Sequence, residues 1–563
     1  MPRIRSFQTS FNAGVLDPRL AARTDFKNYY QGVAEGTNVL SIPQGGLRRR
    51  PGMAYQATLA GHSRLFMFAF NVEQAYLIAF SNNNIAVYKD GVHQANVTTT
   101  YTSAQLWALN ITQSADTMII VHEDHQPAKL VRGASHTSWT LSAITLTNIP
   151  QFDYGSGAED VWSATRGWPK TAAFFGQRLW FGGSKQRPQT IWGSVVASYF
   201  DYDVGTGLDD EAIDVTLDTD QVNGITAIVP SRHLQIFTTG GEFYMPDSPI
   251  TPGASAVKRQ TQYGSTSVRP VGIDGATIFM DRSGKSMREF LFSWEEDAYT
   301  SNSATLLASQ LISSPVDIDA RKGTPNDDAN YVFLVNDDGT MAVFNTLRSQ
   351  EIAAWTKWET DGNVESIAVI VDVVYFAVKR NINGSDVYYL EKADPDTYTD
   401  GNILQTLSPA SATVSGLAHL NGEACRVRAD SAIMADATPS SGSITLSRTA
   451  TAVEVGLDFD IKIKTMPLNA DFNDGPILTR YKRMVRVIVD TYDTLGVYVN
   501  GTLLPDRTLG TGVGPGPLDN TPIGFTGIKE IYITGWNRLA QVTITQTDPQ
   551  PFTLLGLDVE VEA

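Results

Sequence analysis

The sequence predicts an all-β protein, with a β-propeller-like central domain and a C-terminal β-sandwich-like domain. Short apolar runs alternate with Gly, Asn and Asp turns through most of the chain, these runs recur in units about 40–60 residues apart, and helical periodicity is nearly absent. Residues 1–60 stand apart and read as an N-terminal docking arm, punctuated by Gly45-Gly46 and Pro51-Gly52 around an arginine triplet. Residues 61–400 carry the repeating theme. Its clearest units fall at 64–91, 111–133, 170–195, 225–246, 275–293, 330–346 and 364–392. Runs such as Met118–Val121 are apolar at every position, as expected of strands covered on both faces when blades stack. Asp337-Asp338-Gly339-Thr340 and Asn383-Gly384 sit between apolar runs, where tight hairpins belong. Residues 303–312 are the one stretch predicted helical. Residues 398–412 turn polar and are predicted to mark a boundary. Residues 401–563 then alternate with period two, as strands with one wet face do, and Gly510–Pro517 is predicted to be a loop.

Composition bounds the function. At 563 residues, with 42% hydrophobic and 18% charged, the chain can bury large cores and is no disordered segment. Its 46 glycines and 26 prolines follow no collagen-like period and suit frequent turns. The net charge of −17 argues against tight nucleic-acid binding, which draws most of its affinity from clustered Lys and Arg. The first 50 residues go the other way, with eight basic groups against three acidic ones, and this suggests a segment that docks on another surface. One cysteine, Cys425, leaves no intrachain disulfide and no CxxC metal site. No apolar run is long enough to span a bilayer, and the first residues lack the apolar core of a signal peptide; folding in a reducing cytoplasm is the expectation.

Candidate chemistry is sparse. His122-Glu123-Asp124-His125 has metal-ligand residue types, but it follows a strand and precedes Pro127, so a structural loop is expected and no metal site. Glu295-Glu296-Asp297 could offer paired carboxylates; adjacent residues on a strand point to opposite faces, so a solvated turn is expected. No GxSxG elbow occurs, Cys425 reads as an inert core residue, and no phosphate cradle is present. Trp180, Trp192, Trp355, Trp358 and Trp536 are expected to serve blade and interface packing. No catalytic residue and no cofactor are predicted.

Several blocks in collinear order resemble the nozzle proteins of short-tailed phages, the tail tubular protein B family. At the N-terminus, residues 10–52 carry Phe11, Gly14, Pro18, Arg23, Asp25, Tyr29, Asn38, Gly45-Gly46 and Arg50-Pro51-Gly52. Mid-chain, residues 174–194 and 353–358 are similar to family blocks, as are 416–430, 442–457 and 533–557 near the other end. The resemblance implies a non-enzymatic virion structural protein: a propeller-containing subunit, six to a ring, attached below adaptor proteins on the portal side of the phage tail. It also implies contact with tail fibres, a central channel that passes DNA during ejection without tight binding, no membrane span, and assembly in the host cytoplasm. Arg48, Arg49 and Arg50 are the residues expected to dock on an adaptor or a neighbouring subunit. The sequence leaves the channel-lining residues and the blade count open. A tail-associated polysaccharide depolymerase or a receptor-binding protein, either built on a propeller, is the alternative reading.

Overall fold

The alternation that marks a strand also fixes how sheets stack. Along Thr117–His122, Met118 and Ile120 point one way, Ile119 and Val121 the other, and all four are buried. Such a strand needs cover on both faces, and the computed structural model of the chain shows what supplies it. The structure describes residues 3–562 apart from 72, 156, 220, 247, 248, 325–328, 470, 473, 474, 477–479 and 507–522. The predicted loop at Gly510–Pro517 lies outside the described residues.

Among the described residues, seven four-stranded antiparallel blades follow one another. Blades 1 to 6 occupy residues 64–98, 110–143, 171–216, 225–261, 271–303 and 315–358; blade 7 occupies 363–394 and takes its fourth strand, Gly52–Thr58, from near the N-terminus. Apolar layers between successive blades form a closed circle. Met118 and Ile120 of blade 2 pack with Phe66 and Ile78 of blade 1, whereas Ile119 and Val121 pack with Leu179 and Phe181 of blade 3. Trp180, one residue on, faces Ile228 and Ile236 of blade 4. Phe237 meets Phe279 and Phe290 of blade 5, Ile278 meets Val332 and Leu334 of blade 6, and Phe333 meets Phe376 of blade 7. Tyr375 and Leu390 then meet Leu65 and Leu77 of blade 1, which completes the ring. The first strands of blades 7 and 1, Asn363–Ile370 and Arg64–Ala69, lie against each other around the axis. The fold is therefore all-β and propeller-like, as the repeat spacing predicts.

The hairpins fall where turn chemistry places them. Asn383 (φ 49°) and Gly384 (φ 78°) join two ten-residue strands that pair through Ile382 and Ser385, a left-handed pair of residues that matches strand twist. Glu295, Glu296 and Asp297 form an exposed turn between Met287–Ser293 and Ala298–Ser303.

The first 50 residues are not a free arm. Arg3–Gln8, Val39–Ser41 and Leu47–Arg49 join Arg483–Thr494, Phe525–Tyr532 and Thr553–Glu562 in one sheet. Gly14–Val15 and Gly32–Thr37 join Ile461–Thr465, Thr543–Gln546 and Tyr498–Val499 in a second, which continues from the outer strand of blade 6. The two sheets enclose Phe11, Val15, Val33, Leu47, Ile461, Val487, Ile544 and Leu557, so the sandwich draws on both ends of the chain. Gly14 (φ +59°) sits against the Trp355 backbone, where a Cβ would lie 2.4 Å from the Trp355 nitrogen. Blade 7 is extended likewise, through Gly52–Thr58 to Asp400–Ser415, Ser443–Leu457 and Arg426–Ala429 over a core of Leu417, Cys425, Val427 and Val455.

One local expectation is overturned. Residues 303–312 hold only the short 3-10 turn Ser309–Leu311, because Ala308 and Ile312 are drawn into the layer between blades 5 and 6. The polar stretch at 398–412, predicted to mark a boundary, begins the 16-residue strand Asp400–Ser415, whose polar alternation reflects one wet face; it follows the last blade, which ends at Asp394.

Candidate functional site

The arginine triplet is the feature that sequence reasoning singles out. The structure turns two of its members inward: Arg49 is 3% exposed and Arg50 0%, so neither can present its charge to a neighbour as the docking hypothesis requires. Arg48 is half-buried. The physical reason is register. Leu47–Arg49 pairs with Val39–Ser41 on one side and with Thr553 and Leu554 on the other, deep between the sandwich and blade 7.

Every donor of the Arg50 guanidinium is used there. Nη1 and Nη2 reach the two carboxylate oxygens of Asp400 at 2.8 and 2.5 Å, Nε donates to Asn38 Oδ1 at 3.0 Å, and the carbonyls of Pro51 and Glu359 accept at 3.0 and 3.1 Å. The Phe459 ring lies 3.6 Å below it. Burial opposes the charged form of Asp400, but Arg50 outweighs it and holds the carboxyl below its ordinary range. Thr360 Oγ1 donates to Asp400 at 2.6 Å and accepts from Arg380 at 3.0 Å. Arg380 in turn grips Glu391 at 2.6 Å, with both side chains fully buried. Arg49 donates to Gln546 and to the carbonyls of Phe459 and Tyr398, and burial lowers it to about 10. The network thus links the N-terminal segment, blade 7, its extension and the sandwich. Asp400 lies 350 residues from Arg50, a partnership that no local pattern announces.

A second polar group, missed by sequence reasoning, gathers at the propeller axis. Asp317 and Asp319 lie on the first strand of blade 6 and accept from Ile367 and Val369 N–H groups of blade 7 at 3.2 and 2.7 Å. Arg64 of blade 1 donates to the carbonyls of Leu106, Trp107 and Leu109. Arg269, just before blade 5, is exposed, and the surrounding protein lowers it while the charges of Asp319 and Asp317 oppose that shift. Burial pushes Asp319 up to about 6. Opposite charges here balance while the backbone bonds lock successive first strands, which is the arrangement of a fastening.

The remaining candidates take structural parts. His122 Nδ1 accepts from the Asp124 N–H at 3.0 Å, His125 Nε2 meets Gln105 at 3.1 Å, Glu123 pairs with Lys170 at 2.7 Å and Asp124 with Lys185. Among the described residues no three His, Cys, Asp or Glu side chains gather as metal ligands would. Cys425 is buried, which pushes its thiol up to about 12. Trp180, Trp192, Trp355 and Trp358 are packed inside blades, and Trp536 is 48% exposed on the sandwich, outside any blade. A cavity of about 310 Å³ between blades 3 and 4 is lined by Phe175, Arg178, Trp180, Asp209 and Ile250; Arg178 is spent on the carbonyls of Ser194, Asp209 and Glu211.

In each blade the loops after the first and third strands lie at one end of the propeller. That end exposes Asp116, Asp209, Asp210, Glu295, Glu296 and Asp372, with Arg232, Lys322 and Arg348 as exposed basic groups. No helix among the described residues is long and apolar enough to cross a membrane.

A closed ring of blades is thus fused to a sandwich by continuous sheets, with fully buried ion pairs at the junction. The particular relationship comes from comparison: residues 193–464 match the family described as bacteriophage nozzle protein. The chain is thus similar to a phage tail nozzle protein, a structural component of the virion tail, over a stretch running from blade 3 into the sandwich. The resembling N-terminal block and residues 533–557 lie outside that match. No curated protein matches the chain. Among solved structures, the chain is similar to that of U3-55K, at 9% identity and TM-score 0.39, covering 61% of this chain and 100% of that one. The RRP9 WD40 repeats give 9% and 0.40, with 62% and 99% covered, and the computationally designed Ika8 protein 10% and 0.35, with 60% and 99%.

Proposed function

We propose that the chain is a subunit of a phage tail nozzle: a non-enzymatic wall element, six copies of which close a ring below the adaptor and leave a channel for DNA. The match of residues 193–464 to the nozzle family carries this reading. Two physical features support it. The buried Arg50–Asp400 and Arg380–Glu391 pairs, together with two sheets that run unbroken from blades into their extensions, give a unit suited to transmitting load. The acid excess gives a surface that repels phosphates, so a duplex slides past it without the counterion-releasing contacts that would hold it. Adaptor proteins above, fibres below and assembly in the host cytoplasm complete the proposal.

Native mass measurement on the purified assembly, with averaged electron micrographs, tests it. Six copies around an open centre are expected, with only weak binding of duplex DNA. A trimer would favour a receptor-binding protein, turnover of host polysaccharide would favour a depolymerase, and either would overturn the proposal.

A further inference from the structure

Among the described residues, the sandwich sheet that holds Arg3–Gln8 and Thr553–Glu562 has two strands with no partner on one edge. Among the described residues, Arg3–Gln8 pairs only with Thr553–Glu562, and Phe525–Tyr532 only with Arg483–Thr494. Both edges are long enough to template a further strand, and neither is blunted by proline. Each also exposes large apolar side chains among its charged ones. Phe7 is 66% exposed, Ile528 67% and Tyr532 67%.

The two edges are complementary. Across the sheet, Phe525–Tyr532, Arg483–Thr494, Thr553–Glu562 and Arg3–Gln8 alternate in direction, each antiparallel to the next. Four alternating strands leave the outermost two running in opposite directions. A second copy rotated about a ring axis therefore brings its Phe525–Tyr532 edge antiparallel to the Arg3–Gln8 edge of the first, and the ladder continues without a break in polarity. Side chains select a register. With Arg5 opposite Glu530 of the next copy, Phe7 falls opposite Ile528 and Arg3 opposite Tyr532 on the outer face, while Ile4 falls opposite Ile531 on the inner face. One residue of slip would turn each side chain onto the wrong face. Charge alternation runs on as well: Arg486 pairs with Glu530 at 3.1 Å and with Glu560 at 3.4 Å, Glu560 reaches Arg3 at 3.2 Å and Arg5 only at 4.0 Å, and Arg5, 61% exposed, and Glu530, 49% exposed, each keep an open side.

We infer that copies of this chain join head to tail by sheet extension, the edge Phe525–Tyr532 of one adding to the edge Arg3–Gln8 of the next. Two different edges make the joint heterologous, so repetition runs past a dimer, and it closes a ring where the rotation per copy divides the full circle. The inference rests on the ring reading above and names the surface that makes it.

Charge reversal and crosslinking test it on the full chain. Arg5→Glu and Glu530→Arg, each an exposed change, should weaken ring formation about tenfold or more in sedimentation, and the double variant should restore it. With Phe7→Cys and Ile528→Cys together, oxidation should give a ladder of crosslinked copies up to the full ring; either cysteine alone should give none, and Cys425 is buried. Rings of wild-type strength in both charge variants, with no ladder from the cysteine pair, would overturn this joint and leave the ring reading standing. A wild-type chain that forms no ring under any condition would remove the ring reading and this joint with it.

Discussion

Arg50→Ala probes the junction that replaces the expected docking site. The substitution leaves Asp400 fully buried without its bidentate partner, although Thr360 still donates to it and Met53 N–H lies at 3.3 Å. Removing one member of a buried pair costs about 3–5 kcal/mol, because the other charge stays desolvated and uncompensated. The lost stacking on Phe459 adds to this. The loss should therefore fall near the upper end of that range. Unfolding in denaturant followed by tryptophan emission is a suitable assay, since Trp358 lies 5.6 Å from the guanidinium and reports on the junction directly. The double variant Arg50→Met, Asp400→Leu should recover part of the loss, as apolar replacements of buried pairs often do. A loss below about 1 kcal/mol in Arg50→Ala, the scale of an exposed pair, would refute the reasoning.

Other predictions concern acid and the N-terminal segment. Asp430 accepts N–H groups of Ala452 and Thr451 and the Thr451 hydroxyl, which bring its carboxyl down to about 2. A carboxyl lower in the folded than in the unfolded chain stabilises above its unfolded value, and this contribution disappears as pH falls through the folded one. Asp430→Asn should thus lower the melting temperature at neutral pH, with the gap to wild type closing between about pH 4 and about pH 2. Deleting residues 1–50 should abolish cooperative folding of the sandwich, because it removes Phe11, Val15, Val33 and Leu47 from the core; a circular dichroism melt that kept the parent's transition would show the segment to be an arm after all.

Much of this protein was legible in its residues, and the legible part has a common cause. Runs such as Met118–Val121 and 330–346 advertise strands covered on both faces because apolarity at every position is a local property. Asn383-Gly384 advertises its hairpin because a left-handed pair of residues needs those side chains. Blade repeats advertise a propeller because each blade meets the same requirement for two apolar neighbours. The resemblance to nozzle proteins rested on such local blocks.

What the tertiary structure alone decided was long-range pairing. Seven blades became countable only when Tyr375 and Leu390 were seen to meet Leu65 and Leu77, and when Gly52–Thr58 proved to be the last strand of blade 7. Arg50 looked like a surface charge because Asp400 is far along the chain, and Arg3–Gln8 looked like an arm because its partner, Thr553–Glu562, lies at the other end. Sequence patterns encode which faces of an element avoid water. Which distant element covers a given face is fixed by the one packing that satisfies every buried donor, acceptor and apolar surface together, and no stretch of residues carries that information by itself.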